Sequence, residues 1–247
     1  MKTDSHLKPK SNITIEKYQD RFIHFDYIKL PTMLKRHLAA GPLELIDLGC
    51  GDGPWFNLLI TMGYISRDRP VYAVDIDSNR LNRIAERFPW ITTITGSADS
   101  VLGINDKNVD FIISTMVMEH VFDEIAYLKQ IDRILRTSGK AYITTAFKRN
   151  WAWFYRGRNG ESLLDTSHVR EYTDLNAFRK LVTDCSLEIL DLRLSVIKIP
   201  LMKPIFRVWK RKARSMNLGL RLLLWPKIPV LGYYELELIV RSMQKRN

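Results

Sequence analysis

Short apolar runs alternate with stretches of helical spacing from Leu43 to about Arg149. Residues 43–47 read as a buried strand, residues 49–53 as a turn and residues 55–62 as a helix. The next strand is 71–74, followed by a helix whose N-cap is Asp77 or Ser78 and whose apolar face is Leu81, Ile84, Ala85 and Phe88. Residues 91–94 and 109–113 read as further strands. Phe122, Ile125, Leu128, Ile131 and Leu135 recur at helical spacing, and Ser138 with Gly139 turns the chain into a strand at 141–145. Strands alternating with helices of this length predict an α/β fold, a mostly parallel sheet with helices on both faces.

The flanks follow other patterns. Residues 13–40 place Phe22, Phe25, Leu30, Leu34 and Leu38 at helical positions until Gly41-Pro42 stops them. Near the other end, Leu190, Leu192, Leu194 and Val196 alternate with polar neighbours, and Leu236, Leu238 and Val240 alternate with Glu235, Glu237 and Arg241. Both read as half-exposed strands. The expected organisation is an N-terminal helical extension over 1–42 and a single α/β domain over 43–247, interrupted by an insertion at 198–232.

Charge singles out that insertion. The formal net charge is +11, and Lys198, Lys203, Arg207, Lys210, Arg211, Lys212, Arg214, Arg221 and Lys227 fall within it without an acidic residue. Ile205, Trp209, Ala213, Met216, Leu220 and Leu224 lie on one side of a helix there and the basic residues on the other, with Pro204 at its start. Such a helix suits either a lid or contact with an anionic membrane surface, with nucleic acid the less favoured partner. No apolar run approaches the roughly 18 residues of a membrane span, and the first thirty residues lack the apolar core of a secretory signal. Cys50 and Cys185 are too few for a disulfide scaffold. The expected location is the cytoplasm, with the inner face of the membrane as a site of contact.

The chemistry gathers at Asp47-Leu48-Gly49-Cys50-Gly51-Asp52-Gly53, between a strand and a helix. Glycines at alternate positions permit a tight turn and close approach of a ligand at the carboxyl end of the sheet. No Gly-Lys-Ser/Thr follows, so this is not a phosphate loop, and Pro54 stands where a dinucleotide fingerprint needs its third small residue. Asp47 would repel a pyrophosphate but suits an ammonium or sulfonium, and Asp75 after the second strand can accept ribose hydroxyls. Together they describe a site for a cationic nucleoside without phosphate, for which S-adenosylmethionine is the candidate.

Residues 43 to about 197 resemble the class I S-adenosylmethionine-dependent methyltransferases, in particular small bacterial methyltransferase-domain proteins. The matching segments are 46–53, 74–77, Gly96-Ser-Ala-Asp99, 109–112, Met118-Glu-His-Val121 and 134–139, in the family's order. The resemblance implies a Rossmann-like seven-stranded sheet with an antiparallel last strand, so that 236–240 inserts beside 190–196. It also implies that Gly49, Gly51 and Asp47 surround the methionine part of the cofactor, that Asp75 binds the ribose and that Ile76 covers the adenine. Ser97, Ala98 and Asp99 stand where the adenine contact belongs, the acid two places late, and Thr115 completes the expected set.

An alcohol acceptor needs a base or a metal to become nucleophilic at pH 7. Glu119-His120 follows the fourth strand on the same edge as the glycine loop, and His120 is the favoured general base, with a cap or a packing role as its alternative. His168, in His-x-x-Glu-Tyr-Thr, resembles the family's acceptor-side segment. Small-RNA 2′-O-methyltransferases, which the chain resembles here, hold a divalent metal through Glu-x-x-Glu-His and a later His. In this chain Met116 takes the first Glu position, so a metal on Glu119, His120 and His168 is admitted but not favoured. Trp151, Trp153, Phe154 and Tyr155 stand where aromatic residues either clamp an acceptor or fill a core. The expected activity is O-methylation of a small or lipid-linked acceptor in sugar or glycan biosynthesis, or of a quinone or natural product. RNA 2′-O-methylation and a non-catalytic cofactor-binding role are the alternatives.

Overall fold

The computed structural model describes residues 27, 29–152, 155–156, 162–165, 167–200 and 227–243. Its main sheet has seven strands, β1 (Leu45–Leu48), β2 (Val71–Asp75), β3 (Thr92–Thr95), β4 (Val109–Thr115), β5 (Leu135–Lys148), β8 (Leu187–Pro200) and β9 (Lys227–Ser242), in the order β3-β2-β1-β4-β5-β9-β8. The first five run parallel, and β9 is antiparallel to both its neighbours, β5 and β8. A short antiparallel pair, β6 (Tyr155–Arg156) and β7 (Ser162–Leu163), lies outside this sheet. The described helices are α1 (Thr32–His37), α2 (Phe56–Thr61), α3 (Ser78–Arg87), α4 (Glu124–Ile134) and α5 (Leu175–Asp184).

Strands buried on both faces need apolar residues at consecutive positions, as at Leu45-Ile46 in β1 and Phe111-Ile112-Ile113 in β4. Leu45, Ala73, Phe111 and Ile113 face a core shared with Leu34, Phe56, Leu59 and Leu81 from α1, α2 and α3. Ile46, Val74 and Ile112 point the other way, into a core with Leu128, Ile131 and Val182 from α4 and α5. Asp77, Asp123 and Asp174 cap α3, α4 and α5 by accepting backbone N–H groups of their first turns. Among the described residues no helix is long and apolar enough to cross a membrane.

Four details depart from the sequence pattern. Tyr27, Lys29 and Leu30 are not helical and α1 starts only after Pro31, because proline disfavours helix in the residue before it and removes an amide donor. The earlier part of the expected N-terminal helix, residues 13–26, lies outside the described residues. In α4 the buried side chains are Tyr127, Leu128, Ile131 and Ile134, whereas Phe122 and Ile125 are exposed. Residues 135–139 are already strand, so Ser138-Gly139 is no turn, and β5 takes a register shift against β4 between Val109 and Phe111. Finally β9 is no half-exposed strand. Flanked by β5 and β8, it buries Leu236 through Val240, and Glu237 survives inside by accepting hydrogen bonds from Tyr142 Oη and Ser195 Oγ.

The ends of the basic insertion belong to the sheet. Lys198 pairs with Pro229 and Pro200 with Lys227, so residues 198–200 and 227–232 are strand rather than helix. The remainder of the expected amphipathic helix, 201–226, lies outside the described residues.

Candidate active site

The parallel register sets the carboxyl ends of β1, β2 and β4 side by side, and the loops leaving them form one edge. The glycine loop leaves β1 there and is tied to β2: Gly49 N donates to Val74 O at 2.8 Å and Gly51 N to Asp75 Oδ2 at 2.8 Å. Gly49 has φ +77°, and a Cβ on it would stand 2.3 Å from Val117 Cγ2. The missing side chain therefore makes room for the protein's own β4–α4 segment as well as bending the loop. The sequence predicts a tight turn and close approach of a ligand; at Gly49 the turn is present and the space is taken by Val117.

Two buried acids sit below the loop. Asp75 is 3% exposed and accepts from Gly51 N and, through Oδ1, from Asp77 N at 2.9 Å. Asp47 is 1% exposed, and neither carboxylate oxygen has a hydrogen-bond partner. Burial pushes its carboxyl up to about 8, and the nearby Asp75 charge adds to the rise. Burial likewise raises Asp75, against the two backbone N–H groups that hold it down.

Around the next loops the expected contacts are placed unevenly. Ile76 follows β2 and is 50% exposed, free to cover a flat ring. Ser97 and Asp99 follow β3 and are half-buried, with Asp99 Oδ2 accepting from Asp123 N at 3.4 Å. The methyl group of Ala98 is buried in the core, so Ala98 offers a ligand only its backbone. Thr115 ends β4, half-buried and in register with Thr144 of β5. The aromatic cluster is less complete: Trp151 is exposed rather than core, Trp153 and Phe154 lie outside the described residues, and Tyr155 enters only as backbone of β6.

Across the edge, Glu119, His120 and His168 come together. One donor atom from each lies within 4.8 Å of the others, and the two imidazole rings meet edge to face at 4.9 Å. Glu119 is fully buried and accepts from Thr145 Oγ1 at 2.9 Å through Oε2, while Oε1 has no partner. Burial pushes its carboxyl up to about 7, with its own backbone amide, His168 and Thr145 opposing. His120 Nδ1 lies 3.2 Å from Ser167 O, and His168 Nδ1 lies 2.7 Å from Glu171 Oε1.

The two segments bearing this cluster are bound to each other. Val169 N donates to Glu119 O at 2.8 Å, and the Arg170 guanidinium donates to the carbonyls of Met118, Val121 and Phe122. Glu171 also pairs with Lys148 Nζ at 3.2 Å. Thr145, Lys148, Arg170 and Glu171 were not picked out from the sequence. Only the position of Glu171 three residues after His168 gave a signal, since the other contacts join distant segments.

The family model described as a methyltransferase domain matches residues 9–192. A Mycobacterium tuberculosis protein named as a probable S-adenosylmethionine-dependent methyltransferase is 27% identical over 128 residues, 52% of this chain and 43% of that protein. The chain thus spans less than half the length of this curated relative. Among solved structures, a SAM-dependent methyltransferase from Methanosarcina mazei has a TM-score of 0.58 at 18% identity, covering 88% of this chain and 100% of its own. A Burkholderia thailandensis 1,6-didemethyltoxoflavin-N1-methyltransferase, solved with S-adenosylhomocysteine, has a TM-score of 0.55 at 17% identity, covering 86% and 76%. At these identities the structures share the fold with this chain.

Proposed function

The chain belongs to the methyltransferase-domain family, and on that premise we propose that it transfers a methyl group to a hydroxyl of a small or lipid-linked acceptor, sugar hydroxyls first. Its cofactor is S-adenosylmethionine, which supplies an electrophilic methyl on a sulfonium. The residues fit that molecule. Asp47 offers a buried carboxylate with neither oxygen partnered, matched to a ligand carrying an ammonium and a sulfonium. Asp75 has given one lone pair of each oxygen to a backbone N–H and keeps the others for vicinal ribose hydroxyls. Ile76 offers an apolar surface to the adenine.

In-line displacement depends on alignment, and the chain's task is to hold acceptor and cofactor in register and to deal with the acceptor's proton. The observation that carries the hydroxyl reading is the cluster of Glu119, His120 and His168 on the same edge as Asp47. A hydroxyl must lose a proton to react, and this is where the proton is drawn off. A lipid-linked acceptor is supported by Val196, Ile228 and Leu231, exposed apolar residues on the β8–β9 arm that leads to the basic segment 201–226.

Incubation of the full chain with methyl-labelled S-adenosylmethionine and fractionated cell extract tests the reading. Label is expected in a sugar- or lipid-containing fraction as a base-stable ether. Label in RNA or in a basic methylamine overturns the acceptor class. Folded protein that takes up no cofactor at millimolar concentration overturns the whole reading.

A further inference from the structure

Two strands run on past the end of the parallel sheet. The last residue of β5, Lys148, pairs with Tyr233, whereas β8 and β9 stay paired as far as Pro200 and Lys227. Because β9 is antiparallel to β5, residues 198–200 and 227–232 stand beyond the carboxyl end of β5, off the edge that carries the glycine loop and Glu119. The base of this arm is packed. Ala152, Val230 and Tyr233 form a small core with Ile197 and with Leu164, whose N–H donates at 2.6 Å to Glu171, the carboxylate that meets His168.

Outside that core the arm is apolar. Leu231 is 71% exposed and Trp151 66%, and Val196 and Ile228 are exposed as well. Trp151 is held against the arm, since Arg149 N donates to Gly232 O at 2.8 Å and a Cβ on Gly232 would stand 3.0 Å from Trp151 Cζ3. Large apolar side chains gathered on one projection mark a surface that is covered in use. Charge indicates by what. Arg149 and Lys198 are exposed on the arm, and residues 201–226, which join its two strands, contain seven Lys or Arg and no Asp or Glu. Tryptophan and aliphatic side chains beside cations match an anionic lipid interface, where Trp settles at headgroup depth and Lys and Arg meet phosphates. A polynucleotide would use the charges and leave Leu231, Val196 and Ile228 in water.

We propose that the β8–β9 arm, with Trp151 beside it, is a docking surface for an anionic phospholipid membrane and seats the carboxyl edge of the sheet against the bilayer. The inference deepens the lipid-linked acceptor reading and rests on it for its purpose. An acceptor held in the membrane by its lipid would reach Glu119 and His168 along the interface, past the root of the arm at Leu164.

The test is flotation of the full-length chain with vesicles of phosphatidylcholine alone and of phosphatidylcholine and phosphatidylglycerol in equal parts, alongside calorimetry with S-adenosylmethionine. Binding is expected on the anionic vesicles, about tenfold or more weaker on the neutral ones, and falling as salt rises. Trp151→Ser with Leu231→Ser is expected to weaken binding to anionic vesicles by about tenfold or more, with cofactor affinity retained. Lys198→Glu is expected to weaken it by about fivefold or more. If the double variant unfolds, Leu231→Ser and Lys198→Glu decide, since both side chains are exposed. No vesicle binding by protein that takes up cofactor overturns the docking surface and leaves methyl transfer standing. Vesicle binding without cofactor uptake supports the docking surface and overturns the transfer reading. Equal binding to both vesicles, or binding undiminished in the folded variants, overturns the assignment. A chain that ignores vesicles and retards RNA in a gel puts nucleic acid in the membrane's place and overturns it too.

Discussion

Two buried carboxylates, Asp47 under the glycine loop and Glu119 after β4, occupy the same edge of one sheet and yet differ in what surrounds them. Both are almost wholly excluded from solvent, and burial raises both, to about 8 and about 7. Asp47 has no donor at all, whereas Glu119 keeps Thr145 on one oxygen and His168 nearby. On the proposed function, the Asp47 half of the edge is therefore incomplete until an organic cation arrives. The Glu119 half, where the proposed function places the acceptor, has its two histidines and the clamp that fixes them built in beforehand. Asp47 thus waits for the ligand for all of its charge compensation, whereas Glu119 already draws part of its own from the chain.

The largest expected effect comes from rebuilding the cofactor half. Gly49→Ala puts a side chain at a left-handed backbone position, costing about 1–2 kcal/mol, and drives it into Val117, costing about 1–3 kcal/mol more. Chemical denaturation should show a loss of that size and calorimetry a failure of cofactor binding. Adding Val117→Ala should recover the packing part only. Full stability in Gly49→Ala would mean that the loop is not the rigid cradle described.

A smaller effect is expected on the acceptor half. Glu171→Gln weakens the hold on His168 without touching Asp47 or Asp75, so methyl transfer should fall by about 10–100-fold. Cofactor affinity should stay within error of the unaltered chain. A parallel fall in both would dissolve the distinction between the halves.

The smallest effect, for a step of any one unit of pH, is graded. Asp47 titrates near 8 in the folded chain against an ordinary 3.8, so the folded state holds a proton that the unfolded chain has released. Its contribution to stability is full below about pH 4 and is lost as pH rises through 8. Binding of a cation requires the ionised form, so cofactor affinity should rise with pH by at most about tenfold per unit up to 8 and then level off. Isothermal titration between pH 6 and 9 measures this slope, and Asp47→Asn should flatten it. An affinity that falls over that range would contradict the assignment of Asp47 to the cation.

Much of this arrangement was legible in the sequence because it is local. Asp47 and Asp75 are marked by their places near the carboxyl ends of β1 and β2, and Asp77 by the helix it caps. The consecutive apolar residues Phe111, Ile112 and Ile113 of β4 announced burial on both faces. What escaped was set by contacts between distant segments. The alternation in β9 looks like a half-exposed strand until Tyr142 and Ser195 are placed on either side of Glu237. The Arg170 clamp joins segments about fifty residues apart, and no spacing rule reveals it. Pro31 was readable, and its veto on a helix through Leu30 was outweighed by the apolar spacing around it.

The position of β9 has a consequence for synthesis. Among the described residues, strand β5 has its outer edge, and β8 its only partner strand, in residues 227–242. A nascent chain that has left the ribosome as far as Pro200 holds the glycine loop and the histidines, yet carries two unzipped β edges. Until the final seam closes, that intermediate is open to pairing with foreign strands, and chaperone capture would be most needed at that moment.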